Sequence, residues 1–198
     1  MTHPREIRPS IKARIDEGSN NGVVRRALPG RLRRKPLPAT LRGMTDANEF
    51  IEGGCRCGRV RYRVRVEGLP NAYACHCRDC QTWSGSAFSL QVLVPETALE
   101  VSGEPALFEL TAPSGRLSRQ RACPVCFTRI YNTNSARPGI AVLRAGTLDR
   151  SDELKIVAHI WTSRKLDGVA IPDGIARWEQ SAPPEDLAAL LAPRRITG

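Results

Sequence analysis

The sequence predicts a mainly β domain, and three observations carry that prediction. Apolar residues alternate with arginines over residues 59–66, which is typical of a half-buried strand. Several other short apolar stretches follow, separated by turn signals at 101–103, 112–115 and 137–139. One helix alone is well specified, near the C-terminal end. Many short strands with few helices favour a β domain of about 150 residues.

The individual elements follow from local patterns. Beyond the alternating segment, short strands are predicted over residues 87–94, 99–102, 106–111, 117–121, 129–132, 140–145 and 154–161. The arginines of the alternating segment are read as the solvent face of a strand. The helix is predicted from Pro184 to Leu191, because Pro184 and two acids occupy its first turn and Pro193 would stop it.

The positive charge lies mostly in the N-terminal segment. Residues 1–45 hold 11 Lys and Arg against 3 Asp and Glu, whereas the rest of the chain holds 19 against 17. We therefore expect a disordered basic extension over 1–46, a folded domain over 47–182, and a short helix and tail over 183–198. Met44 is an alternative start of the protein. Nucleic acid is expected as a partner only through the basic tail.

Composition excludes some classes of protein. No apolar run approaches the ~18–20 residues that span a bilayer, so no membrane partner is expected. The N-terminus lacks the apolar core of a secretory signal peptide, so the cytoplasm is the expected compartment. There, clustered cysteines bind metal or react more often than they form disulfides.

The seven cysteines fall into three tight groups. The groups are Cys55 and Cys57; Cys75, Cys77 and Cys80; and Cys123 and Cys126. Zinc prefers four thiolate or imidazole ligands in a tetrahedron, so the two pairs together could fill one closed structural site. Gly53, Gly54 and Gly58 would free the backbone around the first pair, and Pro124 would stiffen the second.

The middle group is then left with three cysteines and an empty fourth position, which is how catalytic zinc sites are built. If residues 75–77 are extended, His76 points away from its cysteine neighbours, and we expect it to be a hydrogen-bonding or core residue. Three thiolates give the site a net negative charge. Such a site suits holding an incoming thiol as a nucleophilic thiolate.

Other assignments of the cysteines remain open from spacing alone. The spacing also allows all seven to be structural, with water or another side chain closing the second site. It equally allows the middle group to be a redox pair of thiols without metal. The first and second groups could also share one metal.

The motifs resemble those of a known family. They are Gly53-Gly54-Cys55-Arg56-Cys57-Gly58-Arg59-Val60-Arg61-Tyr62, Cys75-His76-Cys77-Arg78-Asp79-Cys80, Ser84-Gly85-Ser86, Cys123-Pro124-Val125-Cys126, Gly146-Thr147-Leu148-Asp149 and His159-Ile160. Over about residues 48–180 the chain resembles the glutathione-dependent formaldehyde-activating enzymes, the family that includes the centromere protein V domain.

The resemblance implies a zinc-stabilised Mss4-like fold of several short antiparallel sheets and two zinc ions. Cys55, Cys57, Cys123 and Cys126 would hold a structural zinc, and Cys75, Cys77 and Cys80 a catalytic zinc. The implied activity is the condensation of glutathione with formaldehyde to S-hydroxymethylglutathione, classed as a carbon–sulfur lyase.

One departure from the family pattern concerns the third cysteine group. Family members commonly read Phe-Cys-x-x-Cys-Gly, whereas Ala122 and Phe127 flank the group here. The glycine permits a positive φ, so Phe127 should cost about 1 kcal/mol or more, or force another turn.

The leading interpretation is thus a zinc enzyme acting on a small thiol adduct such as that of glutathione and an aldehyde. Arg78 could pair with a substrate carboxylate, although an exposed surface role is favoured, and Trp83 is expected in the core or at the rim of the pocket. The competing interpretation is a non-enzymatic zinc module that binds protein or nucleic acid.

Overall fold

The computed structural model describes residues 50–111 and 115–192. The predicted basic extension and the stop at Pro193 lie outside the described residues, and the domain boundaries stay predictions. Within these two ranges no helix is long and apolar enough to cross a membrane.

The described residues form eleven strands and two helices. The strands are β1 Phe50–Gly54, β2 Arg61–Arg65, β3 Ala72–Cys75, β4 Ser89–Pro95, β5 Leu99–Ser102, β6 Ala106–Thr111, β7 Leu117–Ala122, β8 Arg129–Asn134, β9 Arg137–Arg144, β10 Ile156–Ile160 and β11 Ala176–Arg177. The helices are α1 Arg78–Ser84 and α2 Pro184–Leu191. The prediction of a mainly β fold is confirmed.

The strands make two sheets. A small antiparallel sheet has the order β1-β2-β5, and an eight-stranded sheet has the order β11-β10-β3-β4-β9-β8-β7-β6. The large sheet is antiparallel from β3 to β6, while β10 pairs in parallel with both β3 and β11. The family resemblance implied antiparallel sheets, and nothing in the sequence indicated these two parallel ladders.

Two clusters of buried apolar residues form the core. The first packs Tyr62 and Val64 of the small sheet against Val92, Ile130 and Leu143 of the large one. Tyr62 and Val64 belong to the apolar half of the alternation over residues 59–66, and their burial against the large sheet holds the small sheet on it through the hydrophobic effect.

The second cluster holds α2 on the large sheet near its parallel edge. Leu187 and Leu191 of α2 are buried with Tyr73, Ala158 and Ile160. The bounds of α2 coincide with the predicted helix.

Several elements were missed or displaced. The strand β3 was not predicted because all four of its residues are buried, so it has no alternation. The helix α1 was not predicted because none of its residues is buried and it carries no apolar stripe. The turn predicted at 137–139 instead falls at 135–136, and β9 begins at Arg137.

Candidate metal centres

The first and third cysteine groups meet in space. Cys55 and Cys57 lie in the turn after β1, and Cys123 and Cys126 in the turn between β7 and β8. The four sulfurs of this quartet all lie within 4.8 Å of one another. The Sγ atoms of Cys55 and Cys57 are 3.5 Å apart, and those of Cys57 and Cys123 are 3.7 Å apart.

These separations fit a metal better than a disulfide. A tetrahedron with Zn–S bonds of about 2.3 Å has edges of roughly 3.8 Å, whereas an S–S bond is about 2.05 Å long. All seven cysteines are free. The quartet could therefore hold a metal ion with four protein ligands.

Backbone groups orient the quartet before any metal binds. The Val60 N–H donates to Cys55 Sγ at 3.3 Å, and the Val125 N–H donates to Cys123 Sγ at 3.4 Å. Burial raises the pKa of Cys126, but hydrogen bonds from Thr128 and other groups outweigh it and lower that pKa to about 6. Burial raises the pKa of Cys57 to about 12, so its deprotonation needs a bound cation.

Phe127 stands where the resemblance leads us to expect glycine, and its backbone has a positive φ. Its φ is 57°, in the left-handed region, and the φ of Gly58 after the first cysteine pair is 75°. The Phe127 N–H donates to the Cys123 carbonyl at 3.0 Å, which closes the turn. The quartet thus forms with Phe127 strained rather than with another turn.

Gly53 and Gly54 are needed for space rather than for a positive φ. A Cβ on Gly53 would lie 2.5 Å from the Thr147 carbonyl oxygen and closer still to the Tyr62 phenol. A Cβ on Gly54 would lie 2.5 Å from the Val60 carbonyl oxygen. Backbone freedom, which the sequence suggested for these two glycines, is therefore not the reason that glycine is needed there.

The middle group forms a separate trio. Cys75 ends β3, Cys77 caps the N-terminus of α1, and Cys80 lies within α1. Their sulfurs lie within 4.8 Å of one another, and no other Cys, His, Asp or Glu of the described ranges joins the set. Cys75 is buried, while Cys77 and Cys80 are partly exposed. The trio could hold a metal ion with three protein ligands.

The trio alone favours a single thiolate. Hydrogen bonds from Cys75 and Cys80 lower the pKa of Cys77 to about 2, and the Cys80 N–H also donates to its sulfur at 3.4 Å. The same contacts with Cys77 and Cys80, followed by burial, raise the pKa of Cys75 strongly. A cation at the trio would therefore be needed to hold all three cysteines as thiolates.

His76 lies outside the trio. Its ring is fully buried, and its Nε2 is 2.8 Å from Nδ1 of His159 on β10. Burial, followed by the charge of Lys165, lowers the pKa of His76, so the ring is neutral. Its place matches the expectation of a hydrogen-bonding core residue.

The other side chains considered from the sequence lie at the surface of α1. Arg78 is exposed and donates to the Gln81 side chain at 3.2 Å. Trp83 is partly exposed, and the Arg129 guanidinium lies 3.9 Å from the centre of one of its rings.

A row of polar residues beside the trio was missed by the sequence analysis. The Gln91 amide donates to Cys80 Sγ at 3.2 Å, and Gln91 lies opposite Arg144 in the β4–β9 ladder. Arg144 donates in turn to the Ser89 hydroxyl at 3.4 Å and to the side-chain amide oxygen of Asn132. These residues come together only through strand pairing, and no spacing in the sequence signals them.

A cavity of about 290 Å³ lies beside the quartet rather than the trio. Its lining includes Cys55, Arg61 and Asp149, and none of the trio. Arg61 and Asp149 form an ion pair at this place, which links β2 to the turn after β9. Since four sulfurs would saturate a metal at the quartet, the cavity offers no open coordination position.

Two comparisons with known proteins gave a match, and the family comparison alone identifies the chain. A crystal structure of a Rhodobacter sphaeroides protein is similar with a TM-score of 0.41 and 17% sequence identity, over 64% of this chain and 98% of that chain. The family model described as "Glutathione-dependent formaldehyde-activating enzyme" matches residues 50–164, which is more than half of the chain. The chain therefore belongs to the family of glutathione-dependent formaldehyde-activating enzymes.

Proposed function

We propose that the protein is a zinc-dependent carbon–sulfur lyase that joins a small thiol to an aldehyde, with glutathione and formaldehyde as the substrates its family suggests. The thiol sulfur forms a bond to the carbonyl carbon, and the thiol proton ends on the former carbonyl oxygen. The product is the S-hydroxymethyl thiol, and no electrons are gained or lost. Cleavage of the adduct is the reverse of the same step.

The observation that carries this proposal is that the three cysteines of the trio could supply three protein ligands to one metal ion. Zinc suits both cysteine sets, because it takes thiolate ligands in a tetrahedron. When bound at Cys75, Cys77 and Cys80, zinc would lower the pKa of an incoming thiol and keep its sulfur available for reaction.

The chain's own residues hold the trio in place. The Tyr73 hydroxyl donates to the Gln91 side chain at 2.6 Å, and Gln91 donates to Cys80. On the other side, the Gln81 amide donates to the carbonyl oxygens of His76 and Arg164, at 2.6 and 2.8 Å. These bonds fix α1, and so Cys77 and Cys80, relative to β3. Fixed ligands favour a metal with an open position over a collapsed set of thiols.

The quartet would carry a structural zinc. Cys55, Cys57, Cys123 and Cys126 join the turn after β1 to the turn between β7 and β8. A metal there links the small sheet to the large sheet and contributes to folding. The seven free thiols suit a reducing compartment, and we place the reaction in the cytoplasm.

Metal content and turnover of matched variants test this division of roles. Wild-type protein should contain two zinc ions and condense glutathione with ¹³C-formaldehyde, followed by NMR. Cys77→Ser should lose turnover and one zinc while its circular dichroism stays unchanged, because the quartet is intact. Cys55→Ser should lose its folded structure.

Two outcomes would contradict the proposal. If Cys77→Ser unfolds to the same degree as Cys55→Ser, the trio is structural. If the wild type holds two zinc ions but turns over no thiol and aldehyde, the non-enzymatic zinc module becomes the better interpretation.

A further inference from the structure

Two arginines near the trio, one buried and one partly exposed, have no acidic partner among the described residues. Arg144 is 9% exposed, and Arg129 is partly exposed. Across residues 50–111 and 115–192 no carboxylate forms a salt bridge with either guanidinium. Their Nε atoms are buried without a hydrogen-bond partner. A buried cation is costly unless an anion compensates it.

Strand pairing aims Arg144 at the trio. Cys75 lies opposite Ser89 in the β3–β4 ladder, and the Ser89 hydroxyl accepts a hydrogen bond from Arg144. Gln91, directly opposite Arg144, donates to Cys80. Burial lowers the pKa of Arg144, while the nearby Cys80, followed by Tyr73 and the other two cysteines of the trio, acts to raise it. Among the described residues, the sulfurs of the trio, once they are thiolates, would thus supply negative charge near Arg144.

Arg129 approaches the trio from the side of α1. Its guanidinium stacks on Trp83, three residues after Cys80 in α1, and donates to the Gln120 side chain at 2.9 Å. Burial, and then the charge of Arg144, lower the pKa of Arg129 to about 9, whereas Cys80 and Cys77 act to raise it. Two mutually repelling cations thus lie beside one cluster of sulfurs.

The charges balance only when a further anion is present. Three thiolates around a divalent ion carry one net negative charge, which compensates one guanidinium and leaves the other uncompensated. A thiolate substrate would supply the missing negative charge, whereas water, an imidazole or a neutral thiol would not.

We propose that Arg129 and Arg144 are positioning residues that make the metal-loaded trio selective for an anionic ligand, so that the substrate thiol is held as its thiolate. This inference rests on the proposed function and deepens it, because it names the residues that set the charge of the accepted ligand. The pair acts through the sulfurs and needs no contact with the rest of the thiol. Small thiols with uncharged tails should therefore bind by the same rule.

Ligand binding to the full-length protein loaded with Co²⁺ tests the pair. Two probes are titrated separately and followed by the cobalt absorption spectrum: 2-mercaptoethanol, which binds as a thiolate, and imidazole, which binds as a neutral ligand. The variants are Arg144→Gln, Arg129→Gln and the charge-conserving Arg144→Lys and Arg129→Lys. Arg119→Gln is the matched control, because Arg119 lies on the same sheet, is exposed and pairs with Glu109.

Each Gln variant should raise the dissociation constant of 2-mercaptoethanol about tenfold or more, since it removes one positive charge close to the new thiolate. The dissociation constant of imidazole should not rise. The Lys variants should keep most of the thiol affinity, and Arg119→Gln should match the wild type for both probes. If Arg144→Gln does not fold by circular dichroism, Arg129→Gln, whose side chain is less buried, decides the test.

The results that would contradict this inference can be distinguished from those that would contradict the proposed function. If both probes weaken equally in the Gln variants, the arginines are structural and this inference is wrong. If neither probe weakens, the inference is also wrong while the proposed function stands. If 2-mercaptoethanol produces no spectral change in the wild type, the proposed function itself fails.

Discussion

At the scale of single residues, the two cysteine pairs of the quartet end in different ways. Gly58 follows Cys57 and Phe127 follows Cys126, and both have positive φ. Glycine adopts that conformation without a steric cost, whereas a residue with a Cβ pays roughly 1–2 kcal/mol. Phe127 is 75% exposed, so the packing of its side chain offsets little of this steric cost.

Replacing Phe127 with glycine should therefore stabilise the metal-loaded protein. We expect Phe127→Gly to raise the free energy of unfolding by about 0.5–1 kcal/mol, because relief of left-handed strain exceeds the added entropy of the unfolded chain. The measurement is denaturant unfolding at fixed metal content. Gly58→Ala is the mirror control: no atom lies within 4 Å of its added Cβ, so strain alone should destabilise it. Destabilisation by Phe127→Gly would show that the exposed ring contributes packing.

Residue types and spacing were enough to single out the seven cysteines, and the family resemblance indicated that Phe127 would be strained or would force another turn. The side chains around the trio could not be found in that way. Gln91 and Arg144 are 53 positions apart in sequence and meet because β4 pairs with β9. An arginine in a strand predicts an exposed face by default, and its burial depends on neighbours that the local sequence does not reveal.

At the scale of elements, the small sheet is locked to the turn after β9. The Tyr62 hydroxyl is 2.8 Å from that of Thr147, and the Thr147 hydroxyl donates to the Arg144 carbonyl oxygen at 2.7 Å. The Asp149 N–H donates to the Glu52 carbonyl oxygen at 2.9 Å. Gly53 lies beneath these contacts, so a side chain there would push β1 away from the turn.

A methyl group at Gly53 should destabilise the fold strongly. We expect Gly53→Ala to lower the free energy of unfolding by about 2–3 kcal/mol, because overpacking against backbone is costly to relieve. Gly146→Ala is the control, since no atom lies within 4 Å of its added Cβ and its φ is not positive. Thermal unfolding of the two variants at equal metal content checks the difference, and equal midpoints would contradict this account of Gly53.

Elements with a clear period or clear end signals could be predicted, and those fixed by tertiary contacts could not. Buried apolar residues alternate with arginines in β2, and α2 has acids and proline in its first turn. Both elements were predicted from the sequence. In contrast, β3 is buried on both faces and α1 is capped by a metal-ligand candidate, Cys77. The elements that build the trio are therefore the ones that local sequence patterns describe least.

At the scale of the whole molecule, the two cysteine sets differ in what they connect. The quartet joins Cys55 and Cys57 to Cys123 and Cys126, across more than 60 residues and between the two sheets. The trio joins only the end of β3 to the helix that follows it. A metal at the quartet closes a long loop and links two parts of the core, whereas a metal at the trio orders a local turn.

Removal of metal should consequently proceed in two steps. The trio supplies three protein ligands and has two partly exposed cysteines, so a chelator should remove its metal first, with loss of thiol binding and little change in circular dichroism. The quartet should release its metal at higher chelator concentration, together with cooperative unfolding. Chelator titration with parallel metal analysis and circular dichroism measures both steps. Cys77→Ser should show the second step alone. If the protein unfolds when the first metal is lost, the division into a catalytic trio and a structural quartet is wrong.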